Sequence, residues 1–171
     1  RKLFEAYLPP NVSEYLLHAG KLLCEIYASF LSGQFLEAVI LGGLMWLAFT
    51  LFGLPYAGLV AVLTGLLSFI PYVGSFVSCA VGAFIIFMIS PVKALISIIV
   101  FQVVQFIENQ FIYPRVVGGA VGLSALWTLI AVLIGGKLFG IIGMIFFIPL
   151  AATAYTLLGQ AANKRLENIN K

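Results

Sequence analysis

Apolar residues fill the chain from Gln34 to Gly159 so continuously that only five charges interrupt them: Glu37, Lys93, Glu108, Arg115 and Lys137. The pattern before this stretch is different. Leu16, Leu17, Leu23, Ile26, Tyr27, Phe30 and Leu31 recur at roughly helical spacing among Glu14, His18, Lys21 and Glu25. That mixture predicts an amphipathic helix within residues 1–33, lying outside a hydrocarbon core. Pro9, Pro10, Asn11 and Ser13 mark its start, with Glu14 in the first turn.

Glycine and proline then cut the apolar stretch into six segments. The first, about 35–53, ends in Phe52-Gly53-Leu54-Pro55, and the second, 55–70, stops at Ile70-Pro71-Tyr72-Val73-Gly74. The third, 75–90, stops at Ser90-Pro91, and the fourth, 92–113, at Tyr113-Pro114-Arg115. The fifth, about 120–135, closes with Gly135-Gly136-Lys137. The sixth, 138–159, is interrupted at Ile148-Pro149 and leads into a polar tail. A membrane-spanning helix takes about 20 residues. Segments one and four meet that length. Segments two and five are short and glycine-rich, so they either cross obliquely or form half-helices of re-entrant hairpins, whose broken backbone needs protein or water around it. The predicted fold class is all-α. An amphipathic helical segment (1–33) precedes a polytopic transmembrane helical domain with short or broken helices (34–159), and a cytoplasmic polar tail follows (160–171).

Composition agrees, with 63% hydrophobic and 9% charged residues and 17 glycines. A soluble domain could not cover its surface from that supply, whereas packed membrane helices use glycine for close approach. The formal charge of +3 is too small and too scattered for a nucleic-acid surface. If all six segments cross, Arg1, Lys2, Lys21, Arg115, Lys164, Arg165 and Lys171 share one side and Lys93 and Lys137 the other, which places both ends in the cytoplasm by the positive-inside rule. Cys24, Cys79 and the single His18 form neither a metal-ligand nor a nucleophile pattern, so the cysteines read as packing residues and no metal or other cofactor is expected. The first residue is Arg1 and no signal peptide is visible, as in a fragment of a longer protein.

Polar residues inside such a stretch carry the functional signal. Gln102, Gln105 and Asn109 follow i, i+3, i+7 spacing on one helix face, with Glu108 at its flank. Amides suit a hydroxylated small molecule, and a carboxylate adds a place for a proton or a sodium ion. Helix glue, with Glu108 at the interface near Arg115, is the bland reading of the same residues. Glu37 reads as interfacial, and Arg115 and Lys137 as topology anchors. Pro71, Gly74, Pro114, Gly118 and Pro149 are expected to be helix breaks or hinges. Gly65-Leu-Leu-Ser-Phe-Ile-Pro71 echoes Gly143-Met-Ile-Phe-Phe-Ile-Pro149, a pairing of interrupted segments of the kind that marks transport sites.

Several strings together resemble the autoinducer-2 exporter family of bacterial membrane proteins. They are Gly53-Leu-Pro-Tyr-Ala57, Ile70-Pro-Tyr-Val-Gly74, Gln105-Phe-Ile-Glu-Asn109, Tyr113-Pro-Arg-Val-Val-Gly118 and Gly135-Gly-Lys-Leu-Phe-Gly-Ile-Ile-Gly-Met144, with Ser32-Gly-Gln-Phe35 before them. The resemblance covers nearly everything after residue 25 and corresponds to the C-terminal half of a family member. One departure is Ser124-Ala125, where the family usually has His-Pro, so no role of that histidine carries over. The resemblance implies a multi-pass transporter of the bacterial inner membrane, homo-oligomeric and embedded in lipid. Its implied cargo is a small molecule such as autoinducer-2 or, as in other relatives, sodium exchanged for protons.

A secondary transporter is therefore the leading expectation, since no Walker motif or other nucleotide site is present. A passive oligomeric channel is the alternative. An intramembrane enzyme is disfavoured by the lack of GxSxG, HExxH or any aspartate, so no catalytic residue is assigned.

Overall fold

A computed structural model describes residues 10–118 and 122–169, and among these every regular element is helical. There are five helices: α1 (Pro10–Leu51), α2 (Ala57–Leu67), α3 (Val73–Phe87), α4 (Pro91–Ile107) and α5 (Ala125–Ile169). Two turns of π-helix, Glu108–Ile112 and Pro114–Gly118, extend α4. The expectations for Arg1 to Pro9 lie outside the described residues. Three stretches are long and apolar enough to cross a membrane: Leu16–Leu51, Pro91–Gly118 and Leu126–Gln160.

The helices form two compact units. One joins α1 from Leu31 onward to α2, α3 and α4. The other joins the earlier part of α1, up to Phe30, to α5.

In the first of these units, small residues set the spacing. A Cβ on Gly65 would stand 2.9 Å from the Ala38 carbonyl oxygen, and one on Gly42 would stand 3.4 Å from that of Ala61. Ala38 and Gly42 on α1 thus meet Ala61 and Gly65 on α2, a small residue every fourth position on each helix, as in close-packed membrane pairs. Around that crossing Leu41, Met45, Phe49, Val60, Ile86, Val100 and Phe101 make the core. The outward face is equally apolar: Val92, Leu95, Ile99, Val103 and Phe106 stand exposed along α4. A helix that is apolar inside and outside is built for lipid rather than water.

The α2–α3 pair is a hairpin with its corner at Pro71. With 11 residues, α2 rises about 16 Å, and with 15 residues α3 rises about 22 Å. Both are shorter than a hydrocarbon core of about 30 Å. The corner is strained. Tyr72 has φ 64° and ψ −52°, and the Val73 N–H donates to the Pro71 carbonyl at 2.7 Å, which makes a tight three-residue turn of the rare hand. Gly74 follows because nothing larger fits: its Cβ would lie 1.8 Å from the Leu67 carbonyl oxygen.

In the other unit α5 folds back on itself. Gly140 carries φ 63° and ψ −143°, outside helical geometry, and divides α5 into two arms. Gly135 and Gly143 meet backbone to backbone across the corner, and the Trp127 and Tyr155 rings, 6.3 Å apart, pair further along. The early part of α1 runs beside the second arm. The Tyr27 hydroxyl donates to the Phe146 carbonyl at 2.6 Å, and His18 Nε2 pairs with Gln160 Oε1 at 3.2 Å.

α1 runs without interruption through residues 33–34, and the two compact units divide it at Phe30 and Leu31; Gly33 lies against the Val116 carbonyl, where a Cβ would stand 2.7 Å away. From residue 160 the chain continues α5 as far as Ile169. Two expected helix breaks are corrected. Pro114 does not stop α4. The ladder widens there to π-helix, which absorbs the missing N–H, and Arg115 Nη1 caps the Phe111 carbonyl at 2.7 Å. Pro149 breaks nothing, since α5 runs through it and the corner is Gly140, where only glycine takes a positive φ cheaply. The break at Pro71 is present, with Gly74 beside it, and Gly118 is the last described residue of the α4 extension.

Replacing Gly74 by Ala is expected to lower the thermal midpoint of the detergent-solubilised full-length protein, at a cost of about 1–3 kcal/mol. An unchanged midpoint would show that the Pro71 corner opens freely. In α5, Gly143→Leu should lower the midpoint sharply and Pro149→Ala should leave it within a degree or two, because the close contact is at the glycine. The reverse order would return the hinge to Pro149.

Candidate functional site

Most buried hydroxyls of this protein are silent. Thr64 donates to the Val60 carbonyl at 2.7 Å, Ser97 to Ala94 at 2.7 Å, Ser78 to Gly74 at 2.9 Å and Thr153 to Pro149 at 2.8 Å. Each is satisfied within its own helix and offers nothing to a ligand. Four longer side chains behave otherwise: Gln34, Glu37, Gln105 and Glu108 are 2%, 2%, 9% and 4% exposed.

Gln34 and Glu37 come from α1. Gln34 Nε2 donates to Glu37 Oε2 at 2.7 Å and to the Ser68 carbonyl at 3.3 Å, while the Ser68 hydroxyl stands beside the Glu37 carboxylate. From α4, Gln105 Nε2 donates to the Ser75 hydroxyl in the first turn of α3. The Glu108 carboxylate lies within electrostatic reach of Glu37, and the Tyr113 hydroxyl within reach of both carboxylates and of Tyr72. The two glutamines therefore hold the hairpin corner, residues 68–75, between the two helices that carry the carboxylates.

Depth follows from helix rise. Lys93 Nζ donates to the Gly53 carbonyl at 3.4 Å, tying the end of α1 to the start of α4 at one level. From that level Glu37 lies about 21 Å along α1 and Glu108 about 22 Å along α4, at 1.5 Å per residue. The α2–α3 corner rises to much the same height. The cluster therefore lies about four turns from the level at which α1 ends and α4 begins.

Three details mark the cluster as unfinished. Gln34 Oε1 and Gln105 Oε1 are buried with no hydrogen-bond partner. No ion pair reaches Glu37 or Glu108 among the described residues, where the one pair seen is Lys21–Glu25 at 3.9 Å on the surface. And α4 changes to π-helix at Glu108 itself, a distortion that recurs at functional sites.

Of the four polar residues singled out on α4, the structure brings Gln105 and Glu108 into the cluster and leaves Gln102 and Asn109 exposed, Asn109 donating to the Gln105 carbonyl at 2.8 Å. The buried face of α4 runs Ser97, Phe101, Val104, Gln105, Glu108, so Glu108 belongs at its centre and Gln102 lies off it. Glu37, expected at an interface, is enclosed by protein. Its spacing from Gln34 (i, i+3) and the core positions Leu41 and Met45 that follow on the same face were the signal available for it.

Comparison with known proteins agrees with the family resemblance. The family model described as "AI-2E family transporter" matches residues 1–163. Among curated proteins, "Putative transport protein YueF" of Bacillus subtilis is 35% identical over 85% of this chain and 39% of its own length. "Putative transport protein YrrI" of the same organism is 34% identical over 81% of this chain and 39% of its own length. "Putative transport protein BpOF4_00890" of Alkalihalophilus pseudofirmus is 29% identical over 94% and 42%. The chain thus spans about two-fifths of the length of the curated relatives it matches. No solved structure matches it. A match along nearly the whole chain, with an all-helical fold whose outward faces suit lipid, establishes that the chain belongs to the AI-2E transporter family.

Proposed function

We propose that the chain is the transport-site half of a secondary transporter of the bacterial inner membrane, and that its route passes the polar cluster at the α2–α3 corner. The observation that carries this reading is the enclosed pair Glu37 and Glu108, with two unpartnered amide oxygens in the same cluster, among helices whose outward faces are apolar. Groups that polar cost several kcal/mol each if left without partners in an apolar medium, so a fold that retains them has a use for them. The cargo is a small hydroxylated molecule of the autoinducer-2 kind, driven outward by an ion gradient. The second reading, sodium/proton exchange with no organic cargo, is favoured by the same carboxylate pair. A passive channel has no comparable support, because the cluster is closed around its side chains. The family relatives are named as transport proteins, in line with a function other than catalysis.

The full-length protein in proteoliposomes, under imposed sodium, proton and substrate gradients, is expected to give saturable flux that depends on the gradient. Ohmic currents would support a pore instead. Glu108→Gln should abolish gradient-driven flux while leaving membrane insertion intact. Normal flux with unchanged sodium and proton dependence in that variant would reduce Glu108 to helix glue.

Both ends of the chain are proposed to face the cytoplasm. A single cysteine at Lys21, with Cys24 and Cys79 removed, should be labelled by a membrane-impermeant reagent in inverted vesicles and not in intact cells. Labelling only from outside would invert the topology.

A further inference from the structure

We infer that Glu37, Glu108, Gln34 and Gln105 form one binding site for a dehydrated monovalent cation of the sodium class. The inference rests on the cluster being the coupling centre proposed above, and it adds what the site holds and which residues hold it.

The argument starts from charge. Two carboxylates at one level in an apolar layer repel each other, and the low dielectric magnifies that repulsion. Proteins usually answer with Lys or Arg, because a buried charge without a partner is strongly destabilising. Here no such partner is present among the described residues: Arg115, the nearest basic residue along α4, gives Nη1 to the Phe111 carbonyl. A proton held by one carboxylate or a cation from outside the chain can relieve that repulsion, and the bare amide oxygens beside it favour the cation.

The donors say what kind of charge. Gln34 Nε2 is spent on Glu37 and the Ser68 carbonyl, and Gln105 Nε2 on the Ser75 hydroxyl. Both amides are thereby oriented by their nitrogens, and both oxygens are left buried and bare. Two amide oxygens beside two carboxylates make a set of hard oxygen ligands with no nitrogen or sulfur donor, which suits an alkali or alkaline-earth cation. A dication is the poorer occupant: calcium takes six to eight oxygens and magnesium keeps several waters, and neither requirement fits a tight cluster deep in an apolar layer. A compact monovalent ion needs fewer ligands and is less costly to dehydrate.

The site is also assembled from elements that can move apart. Two of its residues lie on α1 and two on α4, and each glutamine binds the hairpin corner, at Ser68 and Ser75. The strain at Tyr72 sits between those two contacts. Cation binding therefore draws α1, α4 and the corner together.

The test is thermal unfolding of the purified full-length protein in detergent at constant ionic strength, with sodium chloride against potassium, choline and calcium chlorides. The wild type should gain a few degrees with sodium, saturably, and not with choline or potassium. Glu37→Gln and Glu108→Gln should each lose that gain. Gln34→Leu should raise the half-saturating sodium concentration about tenfold, the effect of losing one ligand. Should the glutamate variants fail to fold, equilibrium binding of radioactive sodium to the wild type and to Gln34→Leu decides the question alone. Equal midpoints in all four salts, or a sodium gain retained in Glu37→Gln, would overturn the site. A gain with calcium and none with sodium would overturn the monovalent assignment. Sodium binding without sodium-dependent flux would keep the site and remove the coupling role; sodium-dependent flux without saturable binding would do the opposite.

Discussion

A polar group surrounded by hydrocarbon has no water to fall back on, so it must be answered within the protein. Several departures from a plain apolar helix among the described residues answer that demand. Serine and threonine meet it by bonding to their own helix one turn back. Arg115 meets it at the turn that Pro114 leaves incomplete. The α2–α3 corner, whose backbone is not helical, meets it by taking amides from Gln34 and Gln105, as well as by its own tight turn. The cluster of carboxylates and the broken hairpin are thus one arrangement. The corner supplies carbonyl and hydroxyl partners to the glutamines, and the glutamines satisfy a corner that could not face lipid.

Bringing those elements together depends on close packing rather than on the hydrophobic effect, since lipid is as apolar as leucine. Small residues do this work. Gly42 and Gly65 let α1 and α2 approach at backbone contact, and Gly33 lets α1 touch the π-helical end of α4. The polar residues lie within one or two turns of these contacts: Gln34 and Glu37 between Gly33 and Ala38, Ser68 just past Gly65. Helices held further apart by larger side chains could not put a glutamine from each across the same corner.

The helical class, the short second segment and the Pro71 corner were legible in the sequence, because length and breakers act locally. Gln105 and Glu108 were legible as polar residues out of place. Their companions were not. Glu37 stands near an end of an apolar segment, where a carboxylate ordinarily reaches the interface, and only the continuation of α1 below Gly33 and the approach of α4 put it inside. The grouping of Gln102 and Asn109 with Gln105 failed for a related reason. Their i, i+3, i+7 spacing is a valid helical face, but burial on α4 is decided by where α1 and α3 lie, and that face is centred on Phe101, Gln105 and Glu108. Periodicity finds a stripe; tertiary contact chooses which one is covered.

The echo between Gly65–Pro71 and Gly143–Pro149 separates what a glycine and a proline each do in such a protein. Its glycines are equivalent in role: Gly65 lies against the Ala38 carbonyl and Gly143 against that of Gly135, each where two helices touch. Its prolines are not. Pro71 sits in a corner where the five residues 68–72 separate α2 from α3, while Pro149 lies well inside an arm whose reversal has already occurred at Gly140. A proline deletes one donor and crowds the preceding turn, a cost that a packed helix can absorb locally. Reversing a chain within a residue or two requires a positive φ, and here that falls on Gly140 in one hairpin and on Tyr72 in the other. Gly140 adopts it freely. Tyr72 adopts it under strain, and of the two corners it is the one beside the paired carboxylates. Strain is retained where the surrounding contacts over-determine it. At Tyr72 those contacts are Gly74 against Leu67 on one side and the two glutamines on the other. The corner is therefore held by the same amides that the two carboxylates sit among, and in the proposed site a bound cation would act on the shape of the hairpin.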